Sequence, residues 1–141
     1  MKPVAVVDLT EMVRLAMQRP ERSRLFQAWE AQAFVWVVSE PMLVEFVEVT
    51  GRPKFRQTIR PLVRGAVIEA LRTRACFVAP AAEFPHCRDV KDDIVVATAV
   101  AARPCSLVTA DRDLYDDVDL VDALRNLEVH VVQPGAFLST L

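Results

Sequence analysis

The chain of 141 residues is short of glycine and cysteine, three of each, and has no apolar run of membrane length. Each shortage excludes something. Without a glycine-rich loop, nucleotide binding of the P-loop or Rossmann kind is excluded. Few glycines and 52% hydrophobic residues also argue against long flexible linkers or disordered tails. Cys76, Cys87 and Cys105 are odd in number and lack CxxC spacing, so no disulfide framework is implied and a reducing compartment fits best. His86–Cys87 with Cys105 matches no closed zinc site, and mostly buried free thiols are expected. Neither His86 nor His130 has a serine or cysteine placed for a catalytic triad. The opening apolar segment is closed by Asp8, too soon for a signal peptide or a membrane span. A cytoplasmic protein with no membrane association is expected.

What is present fits one domain over residues 1–141, long enough to bury a real core. The net charge is only −2, but it is unevenly spread. From Arg52 to Arg74 seven basic residues (Arg52, Lys54, Arg56, Arg60, Arg64, Arg72, Arg74) face one acid, Glu69. From Asp111 to Glu128 seven acids face two arginines. Basic surface beside an acidic site suits a nuclease that holds cations on its acids and phosphates on its arginines. For any single charge, a solvated helix face is the better explanation.

Short apolar runs rich in β-branched residues predict strands at Val4–Val7, Phe34–Val38, Ser106–Thr109 and Val129–Val132, with a fifth at Cys76–Ala79. Helical periodicity predicts helices over Arg22–Ala31, Pro41–Val49 and Pro61–Arg74, and a buried one over Asp92–Ala102. Strands alternating with helices imply an α/β fold whose sheet is mainly parallel, with four or five strands covered on both faces. Functional groups in such folds lie beyond the carboxyl ends of the strands. Asp8 and Asp111 each stand just past a predicted strand. Glu45 lies on a helix that Ser39 is placed to cap, and Asp92 and Asp93 fall in a helix's first turn. Four acids from separate segments thus reach one edge of the sheet.

Asp8 read alone is a helix N-cap, Glu45 a solvated surface acid, Asp92 a partner for a helix dipole, Asp111 and Asp113 turn residues in ADRD. Together they make a different object. Clustered carboxylates repel one another without a cation between them, so stability alone does not explain them. Hard divalent ions prefer oxygen ligands, and Mg²⁺ keeps several waters, so a few carboxylates suffice. Such ions activate water and offset the charge that builds on a phosphodiester.

The segments SEPMLVEFVEVTGRPKF, CRDVKDDIVVATA, LVTADRDL and PGAFL, with Val6–Asp8, resemble successive blocks of the PIN domain family. More narrowly, they resemble its branch of toxins from toxin–antitoxin systems. The resemblance implies a three-layer α/β/α fold, Mg²⁺ or Mn²⁺, and ribonuclease activity. It gives the acidic roles to Asp8, Glu45, Asp92 and Asp111, with Asp113 an additional metal residue and Asp93 an auxiliary one. Thr10 and Thr109 stand where residues supporting the metal ligands are expected. Arg52, Lys54, Arg56, Arg60 and Arg64 are candidates to bind the RNA strand. The expected partners are RNA, a cognate antitoxin protein and a second copy in a homodimer.

The family follows its first aspartate with threonine and asparagine, whereas here Leu9 and Thr10 follow Asp8. A threonine hydroxyl cannot both donate and accept in the geometry of an amide. That motivates a second reading, a degenerate PIN domain that binds RNA or protein without cutting. A phosphatase of the haloacid dehalogenase type also opens on an aspartate after its first strand. It needs another aspartate two residues later, where this chain has Thr10.

Overall fold

A computed structural model describes all 141 residues. Five strands, β1 (Val4–Val7), β2 (Val35–Val38), β3 (Cys76–Phe77), β4 (Cys105–Val108) and β5 (Val129–Val132), form one sheet. Their order is β3-β2-β1-β4-β5 and every pairing is parallel. The helices are α1 (Leu9–Gln18), α2 (Arg24–Glu30), α3 (Glu40–Thr50), α4 (Pro61–Arg74), α5 (Asp93–Ala101), α6 (Arg112–Tyr115), α7 (Val118–Asn126) and α8 (Pro134–Ser139). The result is the expected three-layer α/β/α architecture, with the sheet parallel throughout.

Strand β1 occupies the centre, and Ala5, Val6 and Val7 are fully buried. Its register sets Val6 beside Val37 on one side and Leu107 on the other. A strand enclosed on both faces needs small or β-branched apolar residues throughout, and VAVV supplies them. Helix α5 packs against β1 and β4 and also touches α3. From Val95 to Val100 all its residues are buried, as its near-continuous apolar composition requires. Elsewhere an aromatic cluster joins the layers. Trp29 of α2 meets Trp36 of β2 at 5.0 Å, and Phe34 meets Phe137 of α8 at 5.2 Å, both edge to face.

Several boundaries differ from those predicted. The strand expected at Ser106–Thr109 is Cys105–Val108, starting and ending one residue earlier, so Thr109 lies beyond its end. Strand β3 keeps only two exposed residues at the edge of the sheet. Asp92 closes a 3₁₀ turn, Val90–Asp92, and the α-helix starts at Asp93. Ser39 stands at the N-cap of α3 but makes no capping bond. Its buried hydroxyl meets that of Thr98 on α5 at 2.7 Å, and Thr98 donates to the Ile94 carbonyl at 2.7 Å. The serine therefore ties α3 to α5.

The chain runs outward from β1 to β2 and β3, then crosses back to β4 on the opposite side of β1. The connections leaving β1 and β4 diverge there and open a crevice at their carboxyl ends.

Candidate active site

Asp8 follows β1 directly, and its backbone N–H donates to the Val108 carbonyl at 2.9 Å, continuing the ladder with β4. It occupies the N-cap position of α1 but caps nothing. Its carboxylate accepts from the Thr109 hydroxyl at 2.8 Å. Thr109 in turn accepts from the Asp111 N–H at 3.0 Å. One fully buried threonine therefore links the ends of the two central strands and orients Asp8. Thr10 lines the crevice beside it but is exposed and makes no side-chain hydrogen bond to Asp8.

Asp8, Glu45, Asp92 and Asp111 all face the same concave site. Asp113 is exposed at its margin, and its N–H donates to the Asp111 carboxylate at 2.9 Å. Glu45 comes from α3, which is held at both ends. At its start Ser39 reaches α5. At its end Arg64 of α4 donates to the Val47 carbonyl at 2.7 Å and to the Thr50 hydroxyl at 2.9 Å. Gly51 permits that approach, because a Cβ there would lie 3.2 Å from the Arg64 guanidinium. Arg64 is thus engaged in positioning the helix that carries Glu45.

The electrostatics single out two of the acids. Burial is the main cause pushing the Asp8 carboxyl up to about 6; the Thr109 hydroxyl opposes it and the Asp111 charge adds to it. Asp92 is pushed up to about 7, again mainly by burial, then by the charges of Asp8 and Asp111. One Asp92 oxygen, Oδ2, is buried and has no hydrogen-bond partner. The only other buried side-chain polar atom so placed is the Trp36 indole nitrogen, for which nothing in the structure supplies an acceptor. A buried carboxylate oxygen without a donor is costly, and a bound cation relieves that cost. No three of these carboxylates converge closely enough to hold one ion by themselves. An all-oxygen set of this kind fits a hard ion that keeps part of its water shell.

Asp93 stands apart from the cluster. Its carboxylate accepts the Cys87 N–H at 2.8 Å and meets His86 Nδ1 at 3.1 Å. Burial opposes its ionisation, but these contacts hold its carboxyl below the usual range. It anchors the loop that leads to Asp92. The expected burial of the thiols holds only for Cys105, since Cys76 is exposed on edge strand β3 and Cys87 is half-buried in a loop. Burial pushes Cys87 up to about 12 and Cys105 to about 11, and Cys105 donates to the Ala99 carbonyl at 3.2 Å.

Three residues near the site are not among those predicted. Asp89 and Lys91 line it, presented by the 3₁₀ turn before Asp92. Glu11, one turn into α1 from Asp8, is buried against Arg14 at 2.6 Å and adds negative charge near Asp8. The D-x-K-D string and the Glu11/Arg14 spacing are visible in the sequence, yet which of these side chains reach the crevice depends on the loop's path.

Among the predicted basic residues, Arg52 lines the crevice and pairs with Glu48 through two bonds, 2.9 and 3.2 Å. Lys54 lies in the 3₁₀ turn Pro53–Phe55 with its ammonium over the Phe55 ring at 5.1 Å. Arg56 and Arg60 are exposed and belong to no ion pair.

An all-parallel sheet in the order 3-2-1-4-5, with acids gathered where the chain reverses direction, defines an α/β protein with an acidic centre at its topological switch point. The family model of the PIN domain matches residues 4–113, and the chain belongs to the PIN domain family. PIN domains are in general nucleases, which typically use divalent metals and act on nucleic acid. The residues beyond the match continue the same sheet, since β5 pairs with β4. No curated protein matches the chain. No helix is long and apolar enough to cross a membrane.

Proposed function

We propose that this chain is a metal-dependent endoribonuclease, cytoplasmic, with residues 1–141 acting as one PIN domain and as the toxin of a toxin–antitoxin pair. The observation that carries the metal-dependent reading is Asp92. A carboxylate with one buried, unpartnered oxygen and with Asp8 and Asp111 nearby is arranged for a cation rather than for stability. Asp8, Glu45, Asp92 and Asp111, with Asp113 at the margin, are the residues that would hold Mg²⁺ or Mn²⁺, the remaining ligands being water. The ion supplies an activated water and offsets the charge that grows on the phosphate. The protein holds the acids in register: Thr109 orients Asp8, Arg64 and Ser39 fix the helix of Glu45, and Asp93 secures the loop of Asp92. Exposed Lys54, Arg56 and Arg60 supply positive surface for an RNA strand.

The toxin role, the antitoxin partner and a homodimer rest on the resemblance to the toxin branch. The test of the enzymatic reading is cleavage of single-stranded RNA in Mn²⁺, stopped by EDTA and lost in Asp8→Asn or Asp111→Asn. The Leu9–Thr10 departure favours a second reading, a PIN domain that binds without cutting. Purified protein shown to hold metal but leaving a broad set of RNAs intact would establish that alternative. The Thr109 hydroxyl weighs against it, because it already orients Asp8 from the β4 side.

A further inference from the structure

Arg52 and Lys91 are the only cations lining the acidic crevice, and they differ in what already holds them. The Arg52 guanidinium is forked onto Glu48 at 2.9 and 3.2 Å. That fork occupies the Nε/Nη2 edge of the guanidinium and leaves only the Nη1 side for a phosphate. Lys91 is exposed and belongs to none of the six ion pairs of the fold. Its ammonium remains unpaired even though Asp89 and Asp92 flank it in sequence. Only its backbone is engaged, the N–H donating to the Asp89 carboxylate at 3.0 Å.

That bond fixes the 3₁₀ turn, and Asp93 fixes the residues on either side through Cys87 and His86. The turn is thereby presented at the rim with a lysine on one position and the orphaned Asp92 on the next. A free ammonium beside a centre that binds cations would be repelled by them, unless an anion arrives with them. A nucleic-acid phosphate is such an anion, and a flexible lysine holds it as a point charge without demanding fixed geometry.

The geometry points to Lys91, rather than Arg52, as the residue that binds the substrate phosphate at the metal centre. This rests on the nuclease reading above. Lys91 acts on binding and on the approach of the strand, and Arg52 holds the end of α3 through Glu48.

The test compares wild type, Lys91→Gln, Lys91→Arg and Arg52→Gln for affinity to a single-stranded RNA oligonucleotide across a salt series, for KM and kcat of cleavage, and for the Mn²⁺-induced rise in melting temperature. Lys91→Gln is expected to weaken RNA binding about tenfold and to raise KM more than it lowers kcat. The slope of log affinity against log salt is expected to flatten by about 0.7, the loss of one contact to a single strand. Lys91→Arg restores both, and the Mn²⁺ shift persists in every variant. Unchanged affinity and salt slope in Lys91→Gln, in a wild type that does cleave, overturns this assignment and leaves the nuclease reading standing. A wild type that binds RNA without cleaving it removes the nuclease reading while the salt series still decides Lys91. A wild type that binds no RNA overturns both. If Arg52→Gln alone flattens the slope, the phosphate contact belongs to Arg52.

Discussion

Asp92 and Asp93 are neighbours in the chain and opposites in environment. The Asp93 carboxylate is met by the Cys87 N–H and the His86 ring, and those contacts favour its ionised form. Asp92 has a buried oxygen with no donor at all, and burial, then the charges of Asp8 and Asp111, push its carboxyl up to about 7. The same contrast holds between Asp8 and Asp117. Asp8 is raised to about 6 by burial, although the Thr109 hydroxyl and the Leu9 backbone oppose the shift. Asp117 caps α7 through the Leu120 N–H at 3.2 Å and pairs with Arg88 at 3.4 Å. Carboxylates that serve the fold are satisfied by it. Those left unsatisfied at the mouth of the sheet mark where a ligand belongs.

That comparison is broken most forcefully at the site. Asp92→Asn, Asp8→Asn or Asp111→Asn should lower Mn²⁺-dependent RNA cleavage by at least about a hundredfold, more than loss of a supporting contact costs. Asp92→Asn should at the same time stabilise the metal-free fold, on the order of 1 kcal/mol after allowance for solvent screening. Chemical denaturation in EDTA reads this directly. A variant as destabilised as an ordinary core mutant would mean that Asp92 serves the fold after all.

Asp93→Ala should do the reverse. Losing the anchor of the 86–92 loop is expected to cost about 1–3 kcal/mol of stability, since the part-buried Cys87 N–H is left unmatched while the exposed His86 ring turns to water. Cleavage should fall because Asp92 is less well held, while adding Mn²⁺ still raises the melting temperature.

A smaller effect follows pH. Asp8 and Asp92 have raised values in the folded protein, about 6 and about 7 against an ordinary 3.8. Between the unfolded and folded values the folded chain holds more protons than the unfolded one, so stability falls as pH rises. Metal-free protein should therefore lose stability from about pH 4 to pH 7 through these two groups. The Mn²⁺-induced stabilisation should grow across pH 6–7, because the ion binds the ionised forms. A metal effect that is flat over that range would separate the ion from Asp8 and Asp92.

The smallest effect is expected at Thr10. Because Thr109 already orients Asp8, Thr10→Asn should change metal affinity by less than about threefold, well below the ten- to hundredfold range of supporting residues. Calorimetric titration of both proteins with Mn²⁺ checks it, and a tenfold gain would show that the missing asparagine impairs the site.

Much of this was legible in the sequence. The strands at Val4–Val7 and Val129–Val132 and the helix at Pro61–Arg74 lie where apolar periodicity places them, because buried parallel strands and amphipathic helices leave direct patterns. The four acids on one crevice follow from strand ends and crossover topology. Helices α1 and α7 were not among those predicted. In α1 a buried acid, Glu11, interrupts the apolar face, and α7 is rich in aspartate with only Leu120 and Leu124 buried. The roles of Ser39, Arg64 and Lys91 were not legible at all. Each depends on which partner a polar side chain finds across the fold: Thr98, the end of α3, or none. Local sequence specifies that a side chain can donate, and only tertiary packing specifies to what.

The central claim is that Asp92 is left unsatisfied for a divalent cation. Melting temperatures of wild type and Asp92→Asn, measured at pH 7.5 with EDTA and then with rising Mn²⁺, test it most directly. Ions that bind only the folded state stabilise it by RT ln(1 + [L]/Kd), about 2.7 kcal/mol at a hundredfold excess over Kd. Wild type should gain stability with Mn²⁺ while Asp92→Asn starts higher and gains little. Equal gains in the two proteins would contradict the account.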